Sequence, residues 1–356
     1  MRAMRPIRPL SCLLRVALFV AVTGVALLGV EAWARLANPF GICLYRDNIR
    51  YVNEAIELPS GAQQPLGRLF EHRKHLALEF SEFTLHTDAH GLRLADAGAA
   101  PSVPRPQSAD RPLRALFLGD SVTFAWGVEE RDGWVRVVER TTRAHDGRAL
   151  ECLNAGHPKY NTIQEADWLA VHGDALEPDA VVLTYVVNDI EDQYGTYLKL
   201  MEQAAAAAAA DPGPLARIGT SLRETFFGLH GLVTIAGVQR ELSRAAGRAN
   251  PPVEALPEYA NGWPASQAAL ERVREWCAQR RLPLLVLDAT VPRISALRAW
   301  CDQNAIPYAD VCFSPAEWAR GVVISKADGH FNALGNSIIA RKAAAALHRA
   351  GIAAPE

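Results

Sequence analysis

The chain lacks the marks of several protein classes. It has no C-x-x-C pair and no His-Glu-x-x-His motif, so neither a metal site nor a cofactor is expected. It has no excess of one charge: the formal net charge is −2 and the isoelectric point is near 6.6. A basic nucleic-acid-binding face is therefore excluded as the reading of its composition. No internal repeat is evident, which argues against a solenoid or propeller. What it does have is length and apolar content. With 356 residues, 49% of them apolar, it can bury one large core, with or without an accessory region.

Its N-terminus holds one long apolar run. Leu10 to Val30 carries a single charge, Arg15, and is long enough for a membrane-spanning helix. Arg2, Arg5 and Arg8 precede it, which favours a cytoplasmic N-terminus and an exported body. Ala32-Trp33-Ala34 loosely fits a small-x-small cleavage site, so a cleaved leader is the rival reading. The length of the run and bulky Trp33 inside that site favour a retained anchor. Either reading puts the body in the periplasm or outside the cell. Cys152 reads as a small buried apolar residue in a strand. Cys277, Cys301 and Cys312 leave a disulfide open without assigning one.

The chain divides into a signal-anchor segment (1–35), a juxtamembrane region (36–112) and an α/β domain (113–356). In the second, Phe83 to His86 alternates like a short strand, His90 to Arg93 reads as a turn, and Ala97 to Pro112 reads as a linker. From Leu113 strands and helices alternate. Strands are predicted at Leu113–Leu118, Ala149–Asn154, Ala180–Val187, Leu282–Leu287 and Pro307–Val311. Helices are predicted at Trp134–Ala144, Thr162–Gly173, Ile294–Asn304 and Ala333–Arg349, with Thr162 capping the second and Glu165 three residues on. This alternation predicts a three-layer α/β/α sandwich around a parallel sheet. Residues 192 to about 264, with an alanine run at Ala204–Ala210, read as a helical insertion over the sheet's carboxyl edge.

Four short segments fall at the carboxyl ends of predicted strands or just before the last helix. They are Gly119-Asp120-Ser121, Leu153-Asn154-Ala155-Gly156-His157, Val187-Asn188-Asp189 and Asp328-Gly329-His330-Phe331-Asn332. In a parallel sheet these ends converge on one edge. A serine, a histidine and an aspartate there are the parts of an acyl-transfer site, and a glycine N–H with an asparagine amide can bind an oxyanion. Each has a plainer role: Ser121 as a helix cap, Gly156 as a left-handed residue, Asp328 as a turn residue with Asp310 the alternative orienter. Asp189 reads as a cap of the following helix. His157, Lys159 and Tyr160 are candidate substrate contacts or a solvated loop.

These four segments together resemble the SGNH hydrolases, the GDSL-type esterase and lipase family, over about residues 113–350. Thr87-Asp88-Ala89-His90-Gly91-Leu92-Arg93 is similar to a lead-in of membrane-anchored bacterial members. The resemblance implies a flavodoxin-like α/β/α fold. It implies Ser121 as nucleophile, His330 as base, Asp328 as orienter, and Ser121, Gly156 and Asn188 as the oxyanion hole. Two departures stand out. Val186 replaces the usual glycine of the third block, and Asp328 is two residues before His330 where many members have three, a spacing similar to polysaccharide O-acetyl-transfer relatives. No Gly-x-Ser-x-Gly occurs, so the α/β-hydrolase elbow is a poorer match. The expected activity is hydrolysis of an O-acyl ester, such as an acetyl ester, of an envelope glycan or lipid. Transfer of the acyl group to a carbohydrate, and a non-catalytic glycan- or partner-binding role, are the alternatives.

Overall fold

The computed structural model describes residues 9–37, 47–48, 50–58, 69–96, 105, 108, 110–190, 257–325 and 328–354. Its helices are α1 (Pro9–Ala37), α2 (Ser121–Phe124), α3 (Trp134–Thr141), α4 (Thr162–Leu176), α5 (Pro257–Arg280), α6 (Ser295–Gln303), α7 (Pro315–Trp318) and α8 (Ala333–Arg349). Its strands are β1 (Ile56–Glu57), β2 (Glu71–His72), β3 (Ala77–Glu79), β4 (Thr84–Thr87), β5 (Arg93–Leu94), β6 (Leu113–Gly119), β7 (Leu150–Gly156), β8 (Ala180–Tyr185), β9 (Leu284–Asp288) and β10 (Tyr308–Asp310). The described residues fall into two units, α1 in one and residues from 47 onward in the other.

Helix α1 is exposed, and Cys12–Trp33 within it has a mean hydropathy of 2.3. It is long and apolar enough to cross a membrane, a property that a cleaved leader shares.

The second unit is built on an eight-stranded sheet in the order β10-β9-β8-β6-β7-β5-β4-β3. The five strands from β10 to β7 pair in parallel, and β5, β4 and β3 extend the β7 edge antiparallel. Renumbered by chain position, the parallel strands run 2-1-3-4-5, the doubly wound order whose switch point lies between β6 and β8. The apolar runs explain these strands. Every residue of β6 and of β8 is buried, as expected where both faces are covered. Phe117, Val182 and Leu287 pack with Trp134, Val138, Ile338 and Leu347 of α3 and α8. The alternate residues Leu116, Val181 and Val286 point to the other face, the side of α4 and α5. Arg114, the charge within β6, is satisfied by Glu151 Oε2 at 2.7 Å and Leu176 O at 2.6 Å.

Local details differ from the sequence expectations. The sheet takes three strands from residues 77–94, ahead of the point where alternation begins. Of the expected linker, only residues 105, 108 and 110–112 are described, and Arg105 is buried against Asp179 at 2.6 Å. Helix α4 is capped by Asn161, one residue before Thr162. The Asn161 side chain accepts from Ile163 and Gln164, and Gln164 completes the capping box. The insertion expected at 192–264 lies outside the described residues up to 256, and residues 257–264 form the first turns of α5. Cys152 is buried in β7, and Cys277, Cys301 and Cys312 are all free thiols.

Candidate active site

Strand β6 ends where glycine is required. A Cβ on Gly119 would lie 2.1 Å from Thr123 Oγ1. Asp120 then caps α2, accepting from the Val122 N–H at 2.8 Å. The cap is thus Asp120, which leaves the Ser121 hydroxyl free for another partner. That partner is His330, whose Nε2 lies 2.9 Å from Ser121 Oγ. Asp120 Oδ2 also lies 3.3 Å from Ser121 Oγ. The other imidazole nitrogen, Nδ1, lies 2.6 Å from Asp328 Oδ1.

The two-residue spacing of Asp328 and His330 works because it closes a turn. Asp328 Oδ1 accepts both the His330 main-chain N–H, at 3.0 Å, and the ring nitrogen. The Asp328 N–H donates to Ser325 Oγ at 2.9 Å. Asn332 caps α8 by accepting from Gly335 at 3.0 Å, and its amide donates to Gly321 O and Val323 O. The loop that carries the histidine is therefore fixed at both ends. Asp310 does not approach the ring: it binds Arg293 and the Cys312 N–H and is half exposed.

Gly156 ends β7 directly opposite Gly119. A Cβ there would lie 2.2 Å from the Phe124 nitrogen, so glycine lets α2 sit on the strand end. Its N–H donates to Asn154 Oδ1 at 3.0 Å. The N–H expected to face an oxyanion thus meets, in this structure, a side chain two residues back. The Ser121 N–H meets no acceptor among the described residues. Asn188 sits in a 3₁₀ turn after β8, its amide donating to Tyr160 O at 3.0 Å.

Two other sequence readings change. Asp189, expected to cap the following helix, turns its carboxylate back toward α4; residues 191–256 lie outside those described. It is buried, accepts from Val186 N at 2.6 Å and from Thr162 Oγ1 at 3.0 Å, and so ties the Asn188 turn to α4. Val186 in place of glycine is simply packed. His157 and Tyr160 are core residues: the His157 ring stacks between His72 (4.1 Å) and Tyr160 (4.5 Å). Only Lys159 of that trio is exposed.

Behind the serine lie three buried carboxyls, Asp120, Asp189 and Glu165. Burial raises all three, and mutual repulsion raises Asp189 and Glu165 further. Neither oxygen of Glu165 meets a donor. Its native proton affinity stands well above the ordinary 4.5, so its contribution to stability is full below that value and lost as pH rises through the raised one. Glu165→Gln should remove that loss. Urea midpoints at about pH 5 and about pH 8 should then lie closer together than in the parent protein.

A narrow crevice beside Ser121 is lined by Val122, Ala125, Trp126, His330, Phe331 and Asn336. A larger hollow, about 470 Å³, opens at the other edge of the sheet by Asp302, Tyr308 and Arg349, away from the serine and histidine. Among the described residues no group of His, Cys, Asp and Glu could hold a metal ion. Sequence reasoning missed Asp120 as cap and hydroxyl partner, although an aspartate just before a helix start is the signal for it. It also missed Trp126, whose ring lies 6.1 Å from that of His330.

The model of the GDSL-like lipase/acylhydrolase family matches residues 117–338, which hold all four segments. No curated protein matches the chain. Three solved structures are similar to it. They are the psychrotrophic esterase EstA from Pseudoalteromonas (12% identity, 67% of this chain and 97% of that one, TM-score 0.39), a GDSL-like lipase from Bacteroides thetaiotaomicron (12%, 69% and 92%, 0.36) and the acetyl xylan esterase AlAXEase (15%, 66% and 99%, 0.35). Their low scores add nothing to the match over 117–338. With more than half of its length inside that match, the chain belongs to the GDSL-like lipase/acylhydrolase family and is a carboxylic ester hydrolase.

Proposed function

We propose that Ser121, His330 and Asp328 form the relay of a serine esterase that removes short acyl groups from an envelope glycan or lipid. The observation that carries this reading is the unbroken line from Asp328 through both ring nitrogens of His330 to Ser121 Oγ. His330 Nε2 takes the hydroxyl proton as Oγ bonds to the ester carbonyl carbon. Asp328 stabilises the charged ring and holds its tautomer. The carbonyl electron pair moves to oxygen, where the Ser121 N–H, the Gly156 N–H and the Asn188 amide are the donors at hand, the last two once they turn from their resting partners. Collapse expels the alcohol, which takes its proton from His330, and leaves acyl-Ser121. Water, deprotonated by the same imidazole, then releases the acid.

The narrowness of the crevice walled by Ala125, Trp126 and Phe331 argues against a long acyl chain seated there. The apolar, exposed α1, preceded by three arginines, suits an anchor that holds the enzyme at the envelope. The test is the full chain, purified in detergent, given an O-acetylated oligosaccharide and an unacetylated one of different mass. Free acetate and a deacetylated product are expected by mass spectrometry. Acetyl appearing on the second oligosaccharide would mean transfer. Turnover of neither this ester nor p-nitrophenyl acetate would end the enzymatic reading.

A further inference from the structure

We propose that Arg93, on the sheet's added edge, is a positioning residue of the active site, gripping the main-chain segment that connects Ser121 to Trp126 and His330. This rests on the reading of Ser121 and His330 as the reacting pair.

The inference starts from the Thr87–Arg93 motif, which the relay itself does not use. Asp88 Oδ1 accepts from the N–H groups of His90 (2.7 Å) and Leu92 (2.9 Å). Gly91 holds φ at +77°, and a Cβ on it would meet His72 O at 3.0 Å. This tight turn places Arg93 opposite Asn154 on β7, two residues from the end of that strand.

Arg93 is 1% exposed. Among the described residues no carboxylate forms an ion pair with it. Burial pushes its pKa down to about 10, so the guanidinium is still charged at neutral pH. An unpaired buried cation is costly, and a surface role would not require one. All the donors it commits go to one segment: Nη1 to Phe124 O and Ala125 O, and Nη2 to Val128 O at 2.7 Å. Its Cζ lies 4.2 Å from the Phe124 ring centroid and 4.9 Å from that of Phe83.

That segment has little regular structure of its own. Helix α2 stops after one turn at Ala125, which is left-handed with φ +61°. Its terminal carbonyls need donors, and a cation matches the helix's negative end. The segment touches both reacting residues. The Trp126 N–H donates to Ser121 O at 3.0 Å, and the Trp126 ring faces His330. A planar fork that fixes three carbonyls therefore fixes the floor under the nucleophile and the wall beside the base. Lysine keeps the charge but has no such fork.

The experiment compares full-length parent protein, Arg93→Lys and Phe83→Leu on p-nitrophenyl acetate, with active protein counted by fluorophosphonate titration. Arg93→Lys should lower kcat by about 10- to 100-fold with KM within about twofold, because misplacement of reacting groups weakens chemistry before binding. The pH midpoint of kcat/KM should shift as Trp126 moves against the imidazole. A folded Arg93→Lys with unchanged kcat and pH midpoint overturns the proposal. If that variant does not fold, Phe83→Leu decides: it removes one wall of the ring sandwich that holds the guanidinium plane and so loosens the fork on its carbonyls, and an unaltered kcat also overturns the proposal. Failure of the underlying reading would look different, as Ser121→Ala matching the parent.

Discussion

Ser121→Ala should reduce ester turnover by about 10⁴- to 10⁶-fold and abolish covalent labelling by a fluorophosphonate. The loss should be almost wholly chemical. The hydroxyl has two side-chain partners, His330 Nε2 and Asp120 Oδ2, and the cap of α2 belongs to Asp120. Removing the hydroxyl therefore leaves the turn intact, and a stability change of about 1 kcal/mol is the ceiling expected for so small a deletion. Urea denaturation of both proteins, beside p-nitrophenyl acetate kinetics and mapping of the labelled peptide, separates the two effects. A variant as active as the parent, or a label on another residue, would remove Ser121 from the mechanism.

Asp328→Asn should cost about 10³- to 10⁴-fold in kcat. The two roles of Oδ1 separate cleanly in this variant. An asparagine oxygen can still accept the His330 main-chain N–H, so the turn and the start of α8 should survive. A neutral amide cannot stabilise the imidazolium, and it permits the wrong ring tautomer. KM should move little. Asp310→Asn is the control, because Asp310 is engaged by Arg293 and Cys312 and does not meet the ring. If the two variants behaved alike, the assignment of Asp328 as orienter would be wrong.

Much of the fold was legible because its strands advertise themselves. Ala180 to Val187 is apolar but for Thr184, and a strand covered on both faces explains so short a run. The closing helix was legible to its last residue, with Asn332 as a good cap and a glycine after its C-terminal end. The added strands β3 and β5 were not, since two or three residues carry no period and their pairing is decided by partners elsewhere in the chain. The cap of α4 slipped by one residue because Asn161 and Thr162 are both good caps, and Gln164 and Glu165 both complete a box.

The meeting of Ser121, His330 and Asp328 was legible from type and order. Their surroundings were not. Nothing in the spacing of Asn154 and Gly156 tells that one side chain consumes the other's N–H. Nor does a rim-like His157 announce that His72, far back in the chain, will stack upon it. The partner of Asp189 was hidden for the same reason: a carboxylate after a strand can cap forward or bind backward, and the hydroxyl it binds belongs to Thr162.

Because carboxylate and imidazole close on each other within three consecutive residues, they reach the sheet as one prefabricated cassette. Assembly needs a single long-range docking event, not two. Any small slide of α8 along the sheet carries both members together and leaves their mutual contact unaltered. Such wear would be felt in one distance only, the gap across to the nucleophile. That makes this gap the natural place for substrate, temperature or a bound neighbour to tune the enzyme.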